Sequence, residues 1–270
     1  MAIVLFDNGA HKCLMFDDLV DDSDDHVVQS NQFLIIDNAH GAIIDPGGNM
    51  TYNGLRVEMS HHFQPKDLNY ILASHADPDI IASLNRWLTM TECNVLISNL
   101  WVKFIPHFCT VGSEDNRIRG IPDAGMNIPL GQCQIKAIPA HFLHSEGNFQ
   151  FYDPVSKILF SGDMGASLVA HSEADEPVED FKSHIPKMEA FHRRYMISNK
   201  ICRYWVNMVR QMDVEAIVPQ HGRMFKGKKM VNEFLNWIEN LECGIDLMTQ
   251  DNYRLPGSDI VDLELESSYA

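Results

Sequence analysis

Short apolar runs separated by turn-forming residues fill the first part of the chain. Runs of strand length are predicted at 2–6, 12–16, 30–36 and 42–44, and the segments between them are rich in Asn, Gly and Asp. Four strands in such quick succession are typical of a β-meander, in which each strand pairs with the one before it. The chain is therefore expected to begin with an antiparallel sheet.

After residue 50 the sequence pattern predicts helices that alternate with strands. Apolar residues recur at three- and four-residue steps in 52–60 and 81–90, on either side of a strand at 70–74. A further strand at 93–98 precedes a helix around 99–108. This order is typical of βαβ units with a parallel sheet.

A second round of strands and helices follows. Strands are predicted near 132–137, 149–153, 158–162 and 216–219, with one long helix from about 188 to 212 and an amphipathic helix at 229–248. Because sheet and helices occur in this order twice, the sequence predicts a mixed α/β (α+β) fold.

Length and charge narrow the classes of function. At 270 residues the chain is long enough for one large core, and no change of composition marks a second one. Residues 1–250 are interpreted as a single domain and 251–270 as an acidic tail. The net charge of −16 disfavours nucleic acid and anionic membranes as partners. No apolar run approaches the roughly 20 residues that span a bilayer.

Cysteine usage and the N-terminus indicate the cytoplasm. The six cysteines are scattered and include no Cys-x-x-Cys pair, as expected of free thiols in a reducing compartment. The first residues, Met1 to Asp7, lack the basic segment that opens a signal peptide. The protein is therefore expected to be cytoplasmic.

Four fragments that each follow an apolar run carry the most informative side chains. They are His75, Asp77 and Asp79 in Ser74-His75-Ala76-Asp77-Pro78-Asp79, His141 in Pro139-Ala140-His141, Asp163 in Ser161-Gly162-Asp163, and His221 in Pro219-Gln220-His221-Gly222. Two-residue steps on a turn can direct successive side chains to two ions about 3.5–4 Å apart. Imidazole and carboxylate ligands suit iron or manganese as well as zinc.

Each of these residues taken alone has a plain structural interpretation. His221 before a glycine fits a turn, Asp163 fits an Asx turn, and Asp77 fits a helix N-cap. Their common position after apolar strands favours a shared two-metal site over these separate roles. The other histidines, among them His184 and His192, have no partner spacing and are interpreted as surface residues or supports for the ligands.

These fragments resemble the motifs of metallo-β-lactamase-fold proteins, and among them the diiron domain of flavodiiron proteins. The opening strands at 31–37 and 42–47 and the helix with Arg193-Arg194-Tyr195 also look like those of the family. The resemblance covers most of the chain and implies an αββα sandwich. It implies His75, Asp77 and His141 as ligands of the first metal, Asp79 and His221 as ligands of the second, and Asp163 as the bridge.

Two departures from the hydrolases of this fold favour iron and an open site. Asp77 stands where the hydrolases usually have histidine and where flavodiiron proteins have a carboxylate. Ile80 stands where the family has a further histidine, so the second metal keeps three protein ligands and room for another. His144 is a candidate substitute for that ligand, the alternative being a supporting or surface histidine. Ile80, His144 and Tyr195 are therefore candidates for an O₂ pocket.

Flavodiiron proteins usually continue into a flavodoxin domain that holds FMN, and no such domain or flavin is expected here. The resemblance is closest to stand-alone oxygen-binding diiron proteins. It implies two iron ions per chain, with Mn or Zn as alternatives, and a diferrous pair that binds O₂ as a diferric peroxo species. The expected function is oxygen sensing in signal transduction, more an O₂ binder than a fast enzyme.

Other functions and the partners stay open at this point. The first alternative is an O₂ or NO reductase fed by a separate electron-transfer protein, and the second is a binuclear metal hydrolase. A sensor implies a signalling partner such as a chemotaxis protein. Related domains commonly pair so that one subunit's surface meets the other's site, so a homodimer is expected.

Overall fold

Two β-sheets packed face to face form the centre of the structure, a computed structural model that describes residues 2–17, 19, 28–110, 116–170 and 173–255. The first sheet contains, in spatial order, β1 (Ala2–Asp7), β2 (His11–Phe16), β3 (Gln32–Asp37), β4 (His40–Ile44), β5 (Leu68–Leu72), β6 (Asn94–Ser98) and β7 (Ile118–Ile121). Strands β1 to β4 pair antiparallel, and β4 to β7 pair parallel. The predicted meander and the βαβ units that follow it therefore share one sheet.

The second sheet is formed by the later part of the chain. Its strands are β8 (Met126–Leu130), β9 (Cys133–Pro139), β10 (Phe149–Asp153), β11 (Ile158–Phe160), β12 (Ala216–Val218) and β13 (Phe225–Lys226), in the spatial order β13-β12-β11-β10-β9-β8. Neighbours pair antiparallel except β11 and β12, which run parallel. The ends of β11 and β12 consequently lie side by side.

Helices cover the outer face of each sheet. Three helices pack on the first sheet, α1 (Tyr52–Ser60), α2 (Pro78–Ile81) and α3 (Leu84–Met90), and three on the second, α4 (Phe181–Tyr195), α5 (Asn199–Val209) and α6 (Lys228–Glu239). Between the sheets lies a third apolar layer, in which the Phe33 and Phe160 rings are 4.9 Å apart. The order helix, sheet, sheet, helix confirms the predicted αββα sandwich.

Three of the predicted helices differ from those observed. The single helix at 188–212 is two helices, because Ser198 is extended and the Ile197 amide donates to the Phe142 carbonyl instead of continuing the helix. The helix around 99–108 was a wrong prediction, since only a 3₁₀ turn forms there, at Ile105–His107, and it contains Pro106. The last helix ends at Glu239.

The sequence pattern missed β7, β8 and β13, which are short and weakly apolar. Strand β8 contains Pro129, which is tolerated because β8 is the edge of the second sheet. Of the predicted acidic tail, residues 256–270 lie outside the described part of the chain, and the domain boundary stays a prediction. None of the helices within the described ranges is long and apolar enough to cross a membrane.

A buried ionic group joins the two sheets at the end where β3 finishes. His11 of the first sheet lies 2.9 Å from an Asp37 oxygen through Nδ1 and 2.8 Å from an Asp153 oxygen of the second sheet through Nε2. Burial disfavours the charged imidazole, but its hydrogen bonds raise the pKa of His11 far above its usual value. We call His11, Asp37 and Asp153 the His11 clamp.

Removing the imidazole is expected to destabilise the fold strongly. His11→Ala leaves two buried carboxylates without their shared cation, which costs about 3–5 kcal/mol of unfolding free energy. Urea unfolding measures this loss, with Lys12→Ala as the matched control, because Lys12 of the same strand pairs with Asp7 in an ion pair whose side chains are 36% and 37% exposed. Equal unfolding midpoints for the two variants would contradict a stabilising clamp.

Candidate metal centre

The loops that follow four strands meet at the end of the sandwich opposite the His11 clamp. His75 and the two carboxylates after it follow β5, and Asp77 directly precedes α2 with extended backbone. Asp163 follows β11 and His221 follows β12, so the parallel pairing of these strands places both residues at one edge. The Phe149 amide donates to the Ser74 carbonyl at 2.8 Å, which joins the two sheets at this point.

Asp163 lies at the centre of the cluster. Its Oδ2 is 2.7 Å from His144 Nε2 and 3.5 Å from His75 Nε2, and its Oδ1 is 3.5 Å from His221 Nε2. One carboxylate thus faces imidazoles from three separate loops. We call the six residues that gather here, His75, Asp77, Asp79, His144, Asp163 and His221, the Asp163 cluster.

The two outer carboxylates divide the cluster into two groups. Asp77 Oδ2 lies 3.6 Å from His75 Nε2 and 3.5 Å from His144 Nε2. Asp79 Oδ2 lies 3.3 Å from His221 Nε2. Asp163 is shared by both groups, one oxygen facing each. Such a shared carboxylate between two sets of ligands is the arrangement of a binuclear metal site.

The electrostatics of the cluster favour cations. Burial alone would raise the pKa of Asp163, but the surrounding His75, His144 and His221 hold it far below its usual range. Burial opposes protonation of His75 and His221 too, yet the adjacent carboxylates raise the pKa of each to about 9. Among the described residues, Asp163 Oδ1 has no hydrogen-bond partner. The donor set therefore fits metal ions, which would replace the imidazole protons.

His144, and not His141, completes the group around His75. His141 Nε2 is 2.9 Å from the Asp123 carbonyl oxygen, and its ring stands edge-on to Phe149 away from the cluster. The loop turns back on itself through a hydrogen bond from the Phe142 amide to the Ser145 carbonyl, which carries His144 inward. The sequence-based expectation for His141 is corrected accordingly, and His144 lies on the Asp77 side instead of near Ile80.

A cavity of about 700 Å³ opens beside the cluster. Helix α4 contributes one wall, where Phe191 stacks on Tyr195 with ring centroids 4.6 Å apart and Tyr195 meets the His144 ring edge-on at 5.4 Å. His144 and Tyr195 thus line the cavity, as expected of pocket residues. Ile80 does not, because the first turn of α2 buries its side chain in the apolar core between the first sheet and its helices.

Two rings of the cluster, those of His75 and His221, are held by hydrogen bonds at their other nitrogen. His75 Nδ1 is 2.9 Å from the Ser74 hydroxyl, and His221 Nδ1 is 2.6 Å from the Gln29 carbonyl oxygen. The Ser74 amide in turn donates to buried Asp45 at 2.8 Å. These contacts turn each Nε2 toward Asp163, as the outer partners of metal-binding histidines usually do.

Two supporting residues carried no sequence signal for this role. His192 is buried, its Nδ1 is 2.9 Å from the Met188 carbonyl oxygen, and its Nε2 accepts from the amide of Gly165, two residues after Asp163. Burial lowers the pKa of His192 to about 4, so the ring stays neutral and can accept that bond. Gln220 donates to Asp79 at 3.3 Å. His184 is also buried, so neither histidine is a surface residue.

The two sheets and their covering helices define a metallo-β-lactamase-like fold, and His75, His144 and Asp163 at the end of the sheets form a candidate metal-binding group. More narrowly, residues 28–222 match the family model described as "ODP family beta lactamase", and the chain belongs to that family. The recognition made from the sequence motifs is thereby confirmed.

Solved structures of high similarity cover nearly the whole chain. A peroxy diiron species of the chemotaxis sensor ODP is 39% identical, covers 94% of this chain and 99% of its own, and superposes with a TM-score of 0.82. The apo state of the chemotaxis sensor ODP from T. denticola is 38% identical, with the same coverage and a TM-score of 0.83. An iron pair is therefore found in a similar protein of almost equal length.

Matches of lower identity include one solved structure with the same fold and one curated protein. Rubredoxin oxygen:oxidoreductase from Desulfovibrio gigas has a TM-score of 0.75 at 16% identity, over 88% of this chain and 61% of that one. An uncharacterized protein of Methanocaldococcus jannaschii is 24% identical over 218 residues, or 78% of this chain. The matched region spans 53% of that relative, so this chain covers about half its length.

Replacing each of the two histidines of this loop, His141 and His144, separately with alanine tests the corrected ligand set. His144→Ala removes a ring 2.7 Å from Asp163 and is expected to weaken metal binding by more than about 100-fold at one position. His141→Ala is the matched control and should keep the full metal content. Metal counting per chain after dialysis measures both. Retention of two ions by His144→Ala and loss by His141→Ala would restore the sequence-based set.

Metal affinity is expected to rise with pH. At neutral pH the raised pKa values of His75 and His221 keep both rings protonated in the metal-free protein, so an incoming cation must displace those protons. Each displaced proton makes affinity increase by about tenfold per pH unit below pH 9. Competition with a chelator at about pH 6.5 and 8 measures the slope. A pH-independent affinity would contradict this account of the site.

Proposed function

We propose that this protein holds two iron ions in the Asp163 cluster and binds O₂ there as an oxygen sensor in signal transduction. The observation that carries the proposal is the position of Asp163, one oxygen of which faces His144 and His75 while the other faces His221. The 39% identity to the chemotaxis sensor ODP, solved with a peroxy diiron species, supports iron and O₂ as the ligands.

The ligand sets follow from the two groups of the cluster. We assign His75, Asp77 and His144 to the first iron, Asp79 and His221 to the second, and Asp163 to both. Imidazole nitrogen and carboxylate oxygen suit iron, and they suit Mn or Zn as well, so the choice of iron rests on kinship with the diiron sensor. We propose that FMN takes no part.

The second position has one protein ligand fewer than the first. Asp79, His221 and Asp163 leave room there for a small ligand, and Ile80, which stands where the family has a further histidine, is turned into the core. Bound ferrous iron would supply the open coordination position and the electrons for O₂. NO is a second ligand of suitable size and chemistry.

The residues of this chain shape access to that position. Phe191 and Tyr195 form an aromatic wall on one side of His144, with ring centroids 6.3 and 5.4 Å from the His144 ring. Gln220 donates to Asp79 and keeps that carboxylate turned toward His221. Slow release of a bound gas, instead of rapid turnover, is the behaviour that we propose for this centre.

The surface around the cavity suits a protein partner. Val28, Leu168 and Tyr195 line the cavity and are each more than half exposed. Exposed apolar side chains that border a functional cavity are typical of an interaction surface. We propose that a second copy of the chain covers this surface in a cytoplasmic homodimer and that a chemotaxis or other signalling protein reads the state of the centre.

Anaerobic loading with ferrous iron tests the function. The protein is expected to bind two irons per chain and to develop an optical band on exposure to O₂ that disappears when O₂ is removed, because no fast electron supply consumes the gas. Metal analysis and repeated spectra measure both, and His141→Ala should behave like the unaltered protein. Rapid O₂ or NO consumption with an added donor would favour a reductase, and exclusive tight binding of zinc would favour a hydrolase.

A further inference from the structure

Two cysteines bring their thiols together in the outer helical layer of the second sheet. Cys202 lies in α5 and Cys243 lies just after α6, and their sulfur atoms are 3.8 Å apart. Both side chains are completely buried in the helical core. The proposed metal centre uses neither residue, so the pair requires its own explanation.

The backbone around the two thiols is fixed by hydrogen bonds between the two segments. At the start of α5, the Asn199 amide donates to an Asp246 oxygen at 2.6 Å, and the Asn199 side chain donates to the Leu241 carbonyl at 2.9 Å. The two cysteines are thus held facing one another. A disulfide has an S–S distance of about 2.05 Å, so the sulfurs need to approach by only about 1.7 Å.

The two thiols differ in reactivity. The hydrogen bond from Cys202 lowers the pKa of Cys243, an effect that the charge of Arg193 assists and that burial and Asp246 oppose. The same hydrogen bond, together with burial, raises the pKa of Cys202. The lowered pKa favours Cys243 as the attacking sulfur. Its neighbours Glu242 and Ile245 are exposed, so Cys243 lies close to the surface although its own side chain is buried.

A short path of backbone hydrogen bonds connects this pair with the metal centre. The Ile245 amide, two residues after Cys243, donates to the Ile197 carbonyl at 2.8 Å. The Ile197 amide donates to the carbonyl of Phe142 at 3.3 Å, and Phe142 belongs to the loop that carries His144. The segment beside the thiols, at Ile245, therefore supports the loop that carries His144 by way of Ile197.

We propose that Cys202 and Cys243 form a dithiol that hydrogen peroxide oxidises to a disulfide, and that the disulfide stiffens the segment behind the His144 loop. The Cys243 thiolate attacks one peroxide oxygen, which breaks the O–O bond and leaves a sulfenic acid and hydroxide. Cys202 then attacks the sulfenic sulfur and gives up its proton, and water leaves. Two thiols lose two electrons, and one peroxide is reduced to two waters.

Peptide mapping after peroxide treatment tests the bridge. The full chain is reduced, freed of reductant without oxygen, treated with a small excess of hydrogen peroxide, alkylated and digested for mass spectrometry. The expected result is the loss of two of the six thiols and a cross-linked peptide that contains Cys202 and Cys243. Cys202→Ser should abolish that peptide, whereas Cys93→Ser, a change at another buried cysteine, should leave it intact.

Two outcomes would overturn the proposal. The dithiol is refuted if Cys202 and Cys243 stay alkylatable while peroxide oxidises the half-buried Cys109 or Cys133, since the reagent was then active. Amide hydrogen exchange tests the second part, because the Ile197 and Ile245 amides should exchange several-fold more slowly in the bridged protein. Unchanged exchange in a protein with the mapped bridge would refute the stiffening.

Discussion

A single buried carboxylate organises one end of this molecule. Asp163 faces imidazoles from three loops, and each loop follows a different strand or strand pair of the sandwich. An ionised carboxylate in such a place is costly unless it is paired, so the sheets can meet here only if those imidazoles arrive with their Nε2 atoms turned inward. For His75 and His221, hydrogen bonds to Ser74 and Gln29 on the far side of each ring meet that requirement.

The two buried ionic groups described above, the His11 clamp and the Asp163 cluster, balance their buried charges in different ways. In the His11 clamp one imidazolium stands between two carboxylates and contacts each through a different ring nitrogen. In the Asp163 cluster three imidazoles and three carboxylates converge with their free atoms toward each other, and Asp163 Oδ1 lacks a hydrogen-bond partner among the described residues. The first arrangement holds the sheets together, whereas the second is suited to receive cations.

The outer helices of the second sheet support the centre more directly than those of the first. Phe191 and Tyr195 of helix α4 contact the His144 ring. On the buried side of the same helix, His192 Nε2 accepts a hydrogen bond from the Gly165 amide, in the loop that carries Asp163. The break between α4 and α5 is part of this support. The Ile197 amide is not used within a helix and donates to the Phe142 carbonyl, in the loop that carries His144. A continuous helix, as the periodicity predicted, would have used that amide within the helix.

The sequence by itself determined the alternation of strands and helices and five of the six residues of the Asp163 cluster, while the αββα layer order and the likeness to diiron proteins came from the resemblance of its motifs to a known fold. Strand alternation and the short spacing of His75, Asp77 and Asp79 are local properties of the chain, and the strand ends fix where their loops lie. Only the tertiary structure showed that His144 and not His141 joins the cluster, that Ile80 lies in the core, and that His192 supports the Asp163 loop. Those outcomes depend on how a loop turns and which surface it meets, and neither is encoded in the periodicity of the chain.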